Sequence, residues 1–396
     1  LRLIAVLDGA TQLSLTQWPV KELRNNFIFK GVKCFKVPQG NEGLLHIDGE
    51  AWCHLQQKGD CNENIIISVW NEMGMLIAQL EGIEGGVMNG RIGKETRQSI
   101  GMISMDEWEV YSHVPKVDET MEMIEAEDVI ELHEKIVEQM KKGRRPLCVL
   151  ARGEEEAAYV RAVRAEEIGW DLRCVIIESG EKKIGGSPII GEGGEKEWKY
   201  EGGKWYVRRL KRVELNQRVW EANPSSTYLI SGGLEFLGIL SMRALLEHGA
   251  ESIVLLSSSR SELPDELVEE TRGRVVVEKC DVGKREEVER VFEKYPLIRG
   301  VIHAAGVLSD GTIEKLQRED FERVYLPKVE GARNLDRCCN DGREMEFFVM
   351  YSSIASGFGS AGQANYAAAN GCLDDLAMER RKRGGKGVSI RWGAWE

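Results

Sequence analysis

Thr227-Tyr-Leu-Ile-Ser231-Gly-Gly-Leu-Glu-Phe-Leu-Gly238 reads as a short apolar strand, a glycine turn and a helix start, and the helix continues through the apolar-periodic run from Ile239 to His248. Backbone N–H groups exposed by such a turn, together with the positive end of the helix dipole, form a pyrophosphate site, here Ser231, Gly232, Gly233 and Gly238. Three more apolar strands follow. Ser252 to Leu256 runs into Ser257-Ser-Ser-Arg260, Arg274 to Cys280 into Asp281-Val282, and Gly300 to His303 into Ala304-Ala305-Gly306. Strands alternating with helices imply an α/β fold, a Rossmann-like doubly wound parallel sheet whose ligands lie at the strand C-termini.

Further along, Tyr351-Ser-Ser-Ile-Ala-Ser-Gly-Phe-Gly-Ser-Ala-Gly-Gln-Ala-Asn-Tyr366-Ala-Ala-Ala-Asn370 places Ser353 thirteen residues before Tyr366 and Asn370 four after it. A helix over 363–382 puts Tyr366 and Asn370 on one face, where a phenol donates to a carbonyl oxygen that Ser353 also holds. These residues, with Lys328 in Pro327-Lys328-Val-Glu-Gly-Ala, resemble the tetrad of ketoreductase domains of modular polyketide synthases. Those domains are short-chain dehydrogenases with Lys and Asn exchanged, so the usual Tyr-x-x-x-Lys becomes Tyr366-x-x-x-Asn370. The resemblance covers about 220–396 strongly and about 100–215 more weakly.

The resemblance implies NADPH-dependent reduction of a β-ketoacyl thioester on a phosphopantetheinyl acyl carrier protein to the β-hydroxyacyl thioester. In that reading Tyr366 delivers the proton, Ser353 bonds the developing alkoxide, and Lys328 acts by its charge and holds the ribose. Asn370 fixes either a relay water or a backbone bend. Asp281 and Val282 flank adenine, and Ala304, Ala305 and Gly306 pass the ribose and nicotinamide. Ser258 replaces the family's usual Arg, and Arg260 either takes the 2′-phosphate, with Ser257 beside it, or is a solvated surface charge. Leu308-Ser309-Asp310 keeps the third position of the B-type Leu-Asp-Asp motif. The Trp of A-type domains, eight residues before the Tyr, is here Phe358. The resemblance therefore implies B-type stereochemistry through Asp310, the other reading of Asp310 being an ordinary loop cap.

One departure bears on activity. The family's Gly-Gly-x-Gly-Gly-x-Gly is here Gly232-Gly233-Leu234-Glu235-Phe236-Leu237-Gly238, which brings a carboxylate and a ring to the pyrophosphate turn. Two readings stay open, a working reductase with altered cofactor affinity and a catalytically silent structural or docking module of the synthase.

Three segments emerge. Residues 1–86 alternate apolar and polar positions, as in Ile65-Ile-Ile-Ser-Val-Trp, the pattern of antiparallel strands with one buried face. This segment resembles the C-terminal half of a dehydratase, a hot-dog fold, with Asp8 and Gln12 matching its Asp-x-x-x-Gln; Asp8 is either a catalytic remnant or a helix cap. Residues 87–220 hold a linker and a structural subdomain. There we expect a helix over 125–142, strands at 147–150 and 173–177, a helix at 154–168, and a Gly- and charge-rich stretch over 178–204. Residues 221–396 form the catalytic domain. Opening on Leu1 and stopping after an apparent strand, the chain reads as a piece of a longer multidomain protein, whose other polyketide synthase domains are partners.

Of the 396 residues 42% are apolar and 30% charged, with a formal charge of −12, which argues against general affinity for nucleic acid or anionic membrane. No apolar run reaches the length of a membrane span, and a cytoplasmic location is expected. The nine cysteines contain no Cys-x-x-Cys pair and the six histidines no ligand spacing, so we expect idle thiols and no metal.

Overall fold

A computed structural model describes residues 27–36, 51–57, 65–71, 76–87, 104–111, 116–117, 121–177, 189–190, 195–212, 220–340 and 342–393. The chain divides into two compact units, the first ending at Gly101 and the second running from Met102 to Trp395. In the first, β1 (Phe27–Lys36), β2 (Ala51–Gln57), β3 (Ile65–Asn71) and β4 (Leu76–Val87) form an antiparallel sheet in the order β1-β4-β3-β2. The hot-dog expectation rested on Asp8 and Gln12, which lie outside the described residues.

The second unit contains two six-stranded sheets. The first of them is built from β5 (Ser104–Val110), β7 (Glu122–Ile124), β8 (Leu147–Ala151), β9 (Leu172–Ile177), β11 (Glu197–Glu201) and β12 (Lys204–Arg212), while β6 (Lys116–Val117) and β10 (Ile189–Ile190) pair separately. Its order is β5-β12-β11-β9-β8-β7, parallel from β7 to β11 and antiparallel at β12 and β5. Helices α1 (Val129–Lys141) and α2 (Glu154–Glu166) provide its crossovers. The helix expected from 125 starts at Val129 because Asp128 caps it, accepting from the N–H groups of Ile130 and Glu131. Strand β11 lies within the Gly- and charge-rich stretch 178–204. Trp198 is fully buried, and the Glu197 carboxylate is neutralised by Arg161 at 2.6 Å and Arg164 at 2.9 Å.

The second sheet holds β13 (Thr227–Ser231), β14 (Ile253–Ser257), β15 (Val275–Lys279), β16 (Ile298–His303), β17 (Phe347–Ser353) and β18 (Val388–Trp392). All strands are parallel, in the order β15-β14-β13-β16-β17-β18, so the direction of winding reverses between β13 and β16. All five residues of β13 are buried, as expected where helices cover both sheet faces. The connections are α3 (Phe236–Glu247), α4 (Asp265–Thr271), α5 (Arg285–Lys294), α6 (Arg318–Tyr325), a π-turn (Leu326–Glu330), α7 (Gly331–Cys339), α8 (Ile354–Phe358) and α9 (Ala364–Lys382). Helix α3 begins three residues before the expected Ile239, and α9 matches the expected 363–382 within one residue.

The Ala-rich α9 is buried nearly all round because α2 packs directly on it. At Gly371 an added Cβ would collide with the carbonyl of Glu154, so the two helices meet backbone to backbone. One core joins Leu132, Tyr159 and Val160 of the first sheet's layer to Phe321, Ala364 and Ala367 of the second. The N-terminus of α2 lacks a side-chain cap of its own, and Asp375 of α9 supplies one, accepting from the N–H of Glu155 at 3.2 Å. Burial, reinforced by the like charge of Glu154, pushes this carboxyl up to about 8. Among the described residues no helix is long and apolar enough to cross a membrane.

Candidate active site

The C-terminal ends of β16, β17 and β18 open onto a cleft of about 590 Å³ lined by Ser353, Tyr366 and Lys328, together with Ala304, Gly306 and Leu237. Ser353 ends β17 and caps α8, its hydroxyl oxygen accepting from the N–H of Ala355 at 3.2 Å, which leaves the hydroxyl proton to donate into the cleft. Tyr366 stands half-buried in the first turn of α9. Asn365 before it donates to the carbonyls of Ser309 and Asp320, at 2.8 and 3.1 Å, and ties the 306–310 loop to that turn.

Lys328 lies inside the π-turn, where one inserted residue redirects its side chain from the helix face toward the cleft. It is 4% exposed. Its ammonium donates to the carbonyl of Tyr351 at 3.1 Å and sits 5.3 Å from the centre of the Tyr366 ring. Burial lowers its pKa to about 8, with Asp374 opposing the shift. Asn370 donates to the carbonyl of Tyr366 at 2.7 Å, which favours the backbone-bend reading, yet its buried Oδ1 has no partner and remains an acceptor suited to a water.

In the turn after β13, Gly232 adopts φ +65°, and an added Cβ would lie 2.9 Å from the Ala305 backbone. At Gly238 an added Cβ would strike the carbonyl of Gly232 and lie 2.7 Å from the Cα of Gly233, so this glycine lets α3 close on the turn. No side chain caps the first turn of α3, which suits it to an anion. Glu235 at its N-cap is exposed, and Phe236 is 57% exposed; neither lines the cleft. Ser257 organises the next turn by accepting from the N–H groups of Ser259 and Arg260, and Arg260 is exposed. Asp281 accepts from the N–H of Gly283 at 3.0 Å, and Val282 is buried in the core. Asp310 is exposed and accepts from Gln363, which lines the cleft. The structure thus brings Ser353, Tyr366, Lys328, Ala304 and Gly306 to one cleft, with Asn370 one turn behind, while Arg260 and Asp281 stand at the ends of their own strands.

Sequence reasoning missed the support behind these residues. Arg161 of α2 pairs with Glu154 at 2.8 Å and donates to the carbonyl of Ser356 at 2.6 Å, pinning α8 beside Ser353. Asp374, one turn beyond Asn370, accepts from Ser356, Ser389 and Arg391 at 2.8, 2.6 and 2.8 Å. Glu166 accepts from the N–H groups of Ile313 and Gly362 at 2.8 and 2.9 Å, fastening α2 to the segments before α6 and α9. The only signal for them was their charge on otherwise buried elements.

Compared with known proteins, residues 226–396 match the family model described as KR domain. That segment is similar to KR domains. Curated relatives agree: the chain is 40% identical over 195 residues to the highly reducing polyketide synthase poxF of Penicillium oxalicum, a match covering 47% of this chain and 8% of that protein. It is 40% identical over 183 residues to the pikromycin polyketide synthase component PikAII of Streptomyces venezuelae, covering 44% and 5%. The chain therefore spans a small fraction of these relatives' length. Among solved structures, PlmKR1, the ketoreductase from the first module of phoslactomycin biosynthesis in Streptomyces sp. HK803, superposes with a TM-score of 0.63 at 25% identity over 74% of this chain and 82% of that one. The first ketoreductase of the tylosin PKS gives 0.56 at 26% identity over the same shares. Residues 226–396 and the sheet before them thus match the Rossmann-like architecture of polyketide synthase ketoreductases.

Proposed function

We propose that the KR-like domain catalyses NADPH-dependent reduction of a β-ketoacyl thioester, presented by an acyl carrier protein, to the β-hydroxyacyl thioester with B-type stereochemistry. The observation that carries this is the convergence of the Ser353 hydroxyl, the Tyr366 phenol and the Lys328 ammonium on one cleft at strand C-termini. A dinucleotide fits the turn after β13 by its cradle: Gly232, Gly233 and the uncapped start of α3 take the pyrophosphate, Arg260 the 2′-phosphate, and Lys328 the ribose. When bound, the cofactor supplies a hydride to the ketone carbon. Tyr366 gives its hydroxyl proton to the carbonyl oxygen, Ser353 donates a hydrogen bond to that oxygen as its charge grows, and the Lys328 charge favours the deprotonated phenol left behind. Asp310 orders the mouth through Gln363 and thereby the face of the ketone presented.

Residues 87–220 serve in this reading as the structural subdomain, residues 1–86 as a dehydratase-like piece with Asp8 and Gln12 as remnants, and the remaining synthase domains as partners. The second reading, a silent structural module, is favoured by Glu235 and Phe236 at the pyrophosphate turn. Titrating NADPH with fluorescence detection separates the two: saturable binding supports the reductase, and a folded protein that leaves the signal unchanged supports the silent module. Chiral analysis of the alcohol from a diffusible β-keto thioester tests the stereochemistry, and the opposite alcohol from the B-type product overturns it.

A further inference from the structure

The imidazole of His303 is fully buried where the sheet reverses its winding, and nothing in the proposed reaction uses it. It ends β16 directly across from Ser231, the last residue of β13 before the glycine turn. Its Nδ1 lies 2.6 Å from the Ser231 hydroxyl and its Nε2 2.8 Å from the backbone carbonyl of Lys328. A carbonyl only accepts, so Nε2 carries the proton and Nδ1 accepts from Ser231. Burial lowers the imidazole to about 4, so the ring is neutral across the physiological range and the tautomer is fixed. Gly331 closes the turn against the ring, where an added Cβ would lie 3.1 Å from its Cε1.

We infer that His303 is the positioning residue of Lys328, a neutral strut that ties the first residue of the pyrophosphate turn to the π-turn and so sets where the ammonium sits. A π-turn is an intrinsically poor helix geometry and persists where something outside the helix holds it. Here the bond from Nε2 does so at the residue whose side chain must reach the cleft. Groups facing the Lys328 ammonium are the carbonyl of Tyr351 on β17, Tyr366 and Asp374 on α9, and Gly306 after β16. Without the strut the turn relaxes toward regular helix and the ammonium moves toward water.

This inference rests on the proposed reductase reading for its activity readouts, and two of its tests do not. Nitrogen NMR of the wild-type imidazole at neutral pH is expected to show the proton on Nε2; a proton on Nδ1 overturns the assignment. Hydrogen exchange across residues 326–331 is expected to quicken in His303→Asn, whose amide reaches only the Ser231 side, and to stay near wild type in His303→Gln, whose terminal nitrogen overlays Nε2. With activity in hand, His303→Asn lowers kcat/KM on the order of 100-fold through misplacement of the ammonium. It also moves the alkaline limb of the kcat/KM profile upward, whereas Gln restores both. Should Asn prevent folding, Ser231→Ala, which keeps the ring and removes the donor to Nδ1, is expected to quicken exchange over 326–331 to a lesser degree. Unchanged exchange in whichever variant folds overturns the proposal. A wild type that neither binds nor oxidises NADPH but shows the expected tautomer and exchange refutes the reductase and leaves the strut standing.

Discussion

The wall of the cleft that carries Ser353 and Tyr366 is braced from behind by α2, through Arg161, Glu166 and the backbone contact at Gly371, whereas the glycine turn from Ser231 to Gly238 is shaped by its own backbone. The braced wall holds groups that must meet one atom, and its polar residues are tied to each other across the fold. The turn meets a ligand with backbone N–H groups, so its side chains matter only where they obstruct the backbone. That explains which glycines the sequence keeps. Gly232 and Gly238 stand where a Cβ would strike the protein itself, while Glu235 and Phe236 replace glycine where the side chain reaches solvent.

Tyr366→Phe is expected to lower turnover by roughly 10²–10⁴-fold, as loss of a general acid does, with no change in fold by circular dichroism. Turnover at the wild-type rate would remove the braced wall from the chemistry. Next, Gly238→Ala should cost about 1–3 kcal/mol of stability in urea unfolding, the usual penalty of overpacking, because the new methyl meets the Gly232 carbonyl. A neutral result would mean that the turn is looser than its geometry.

Lys328 supplies a pH test. Its charged form is required, so kcat/KM should fall about tenfold per unit above about 8, and a profile flat to 10 would exclude it from the reaction. Stability moves the other way. Below about 8 folded and unfolded chains both hold the proton and the burial cost is complete. Between there and the ordinary lysine value of 10.5 the unfolded chain alone keeps it, so this group's contribution rises with pH. The smallest expected effect is Glu235→Gln, about two- to threefold tighter NADPH at low salt and no difference at high salt, since the carboxylate is exposed and screened. A hundredfold gain would place Glu235 against the ligand instead.

The second sheet was legible because buried parallel strands are unbroken apolar runs and the glycine turn punctuates them, and Tyr366 and Asn370 were legible because four residues is one helical turn. Strand β11 was not, because Glu197 reads as surface charge until Arg161, 36 residues earlier, is folded against it. Helix α3 was placed three residues late because Phe236 looked like part of the turn. Asp375 and His303 were invisible for the same reason as β11: their partners, Glu155 and Lys328, are remote in sequence, and periodicity carries no information about such pairs.

The cap that Asp375 lends to α2 has a practical consequence for anyone recombining domains of this kind. A crossover point set between Arg212 and Thr227 would look harmless, since it falls between two sheets, yet it would graft a foreign helix end onto a carboxyl shaped for this one. Chimeras joined there should express poorly or melt early, and those exchanging 102–393 as one cassette should not.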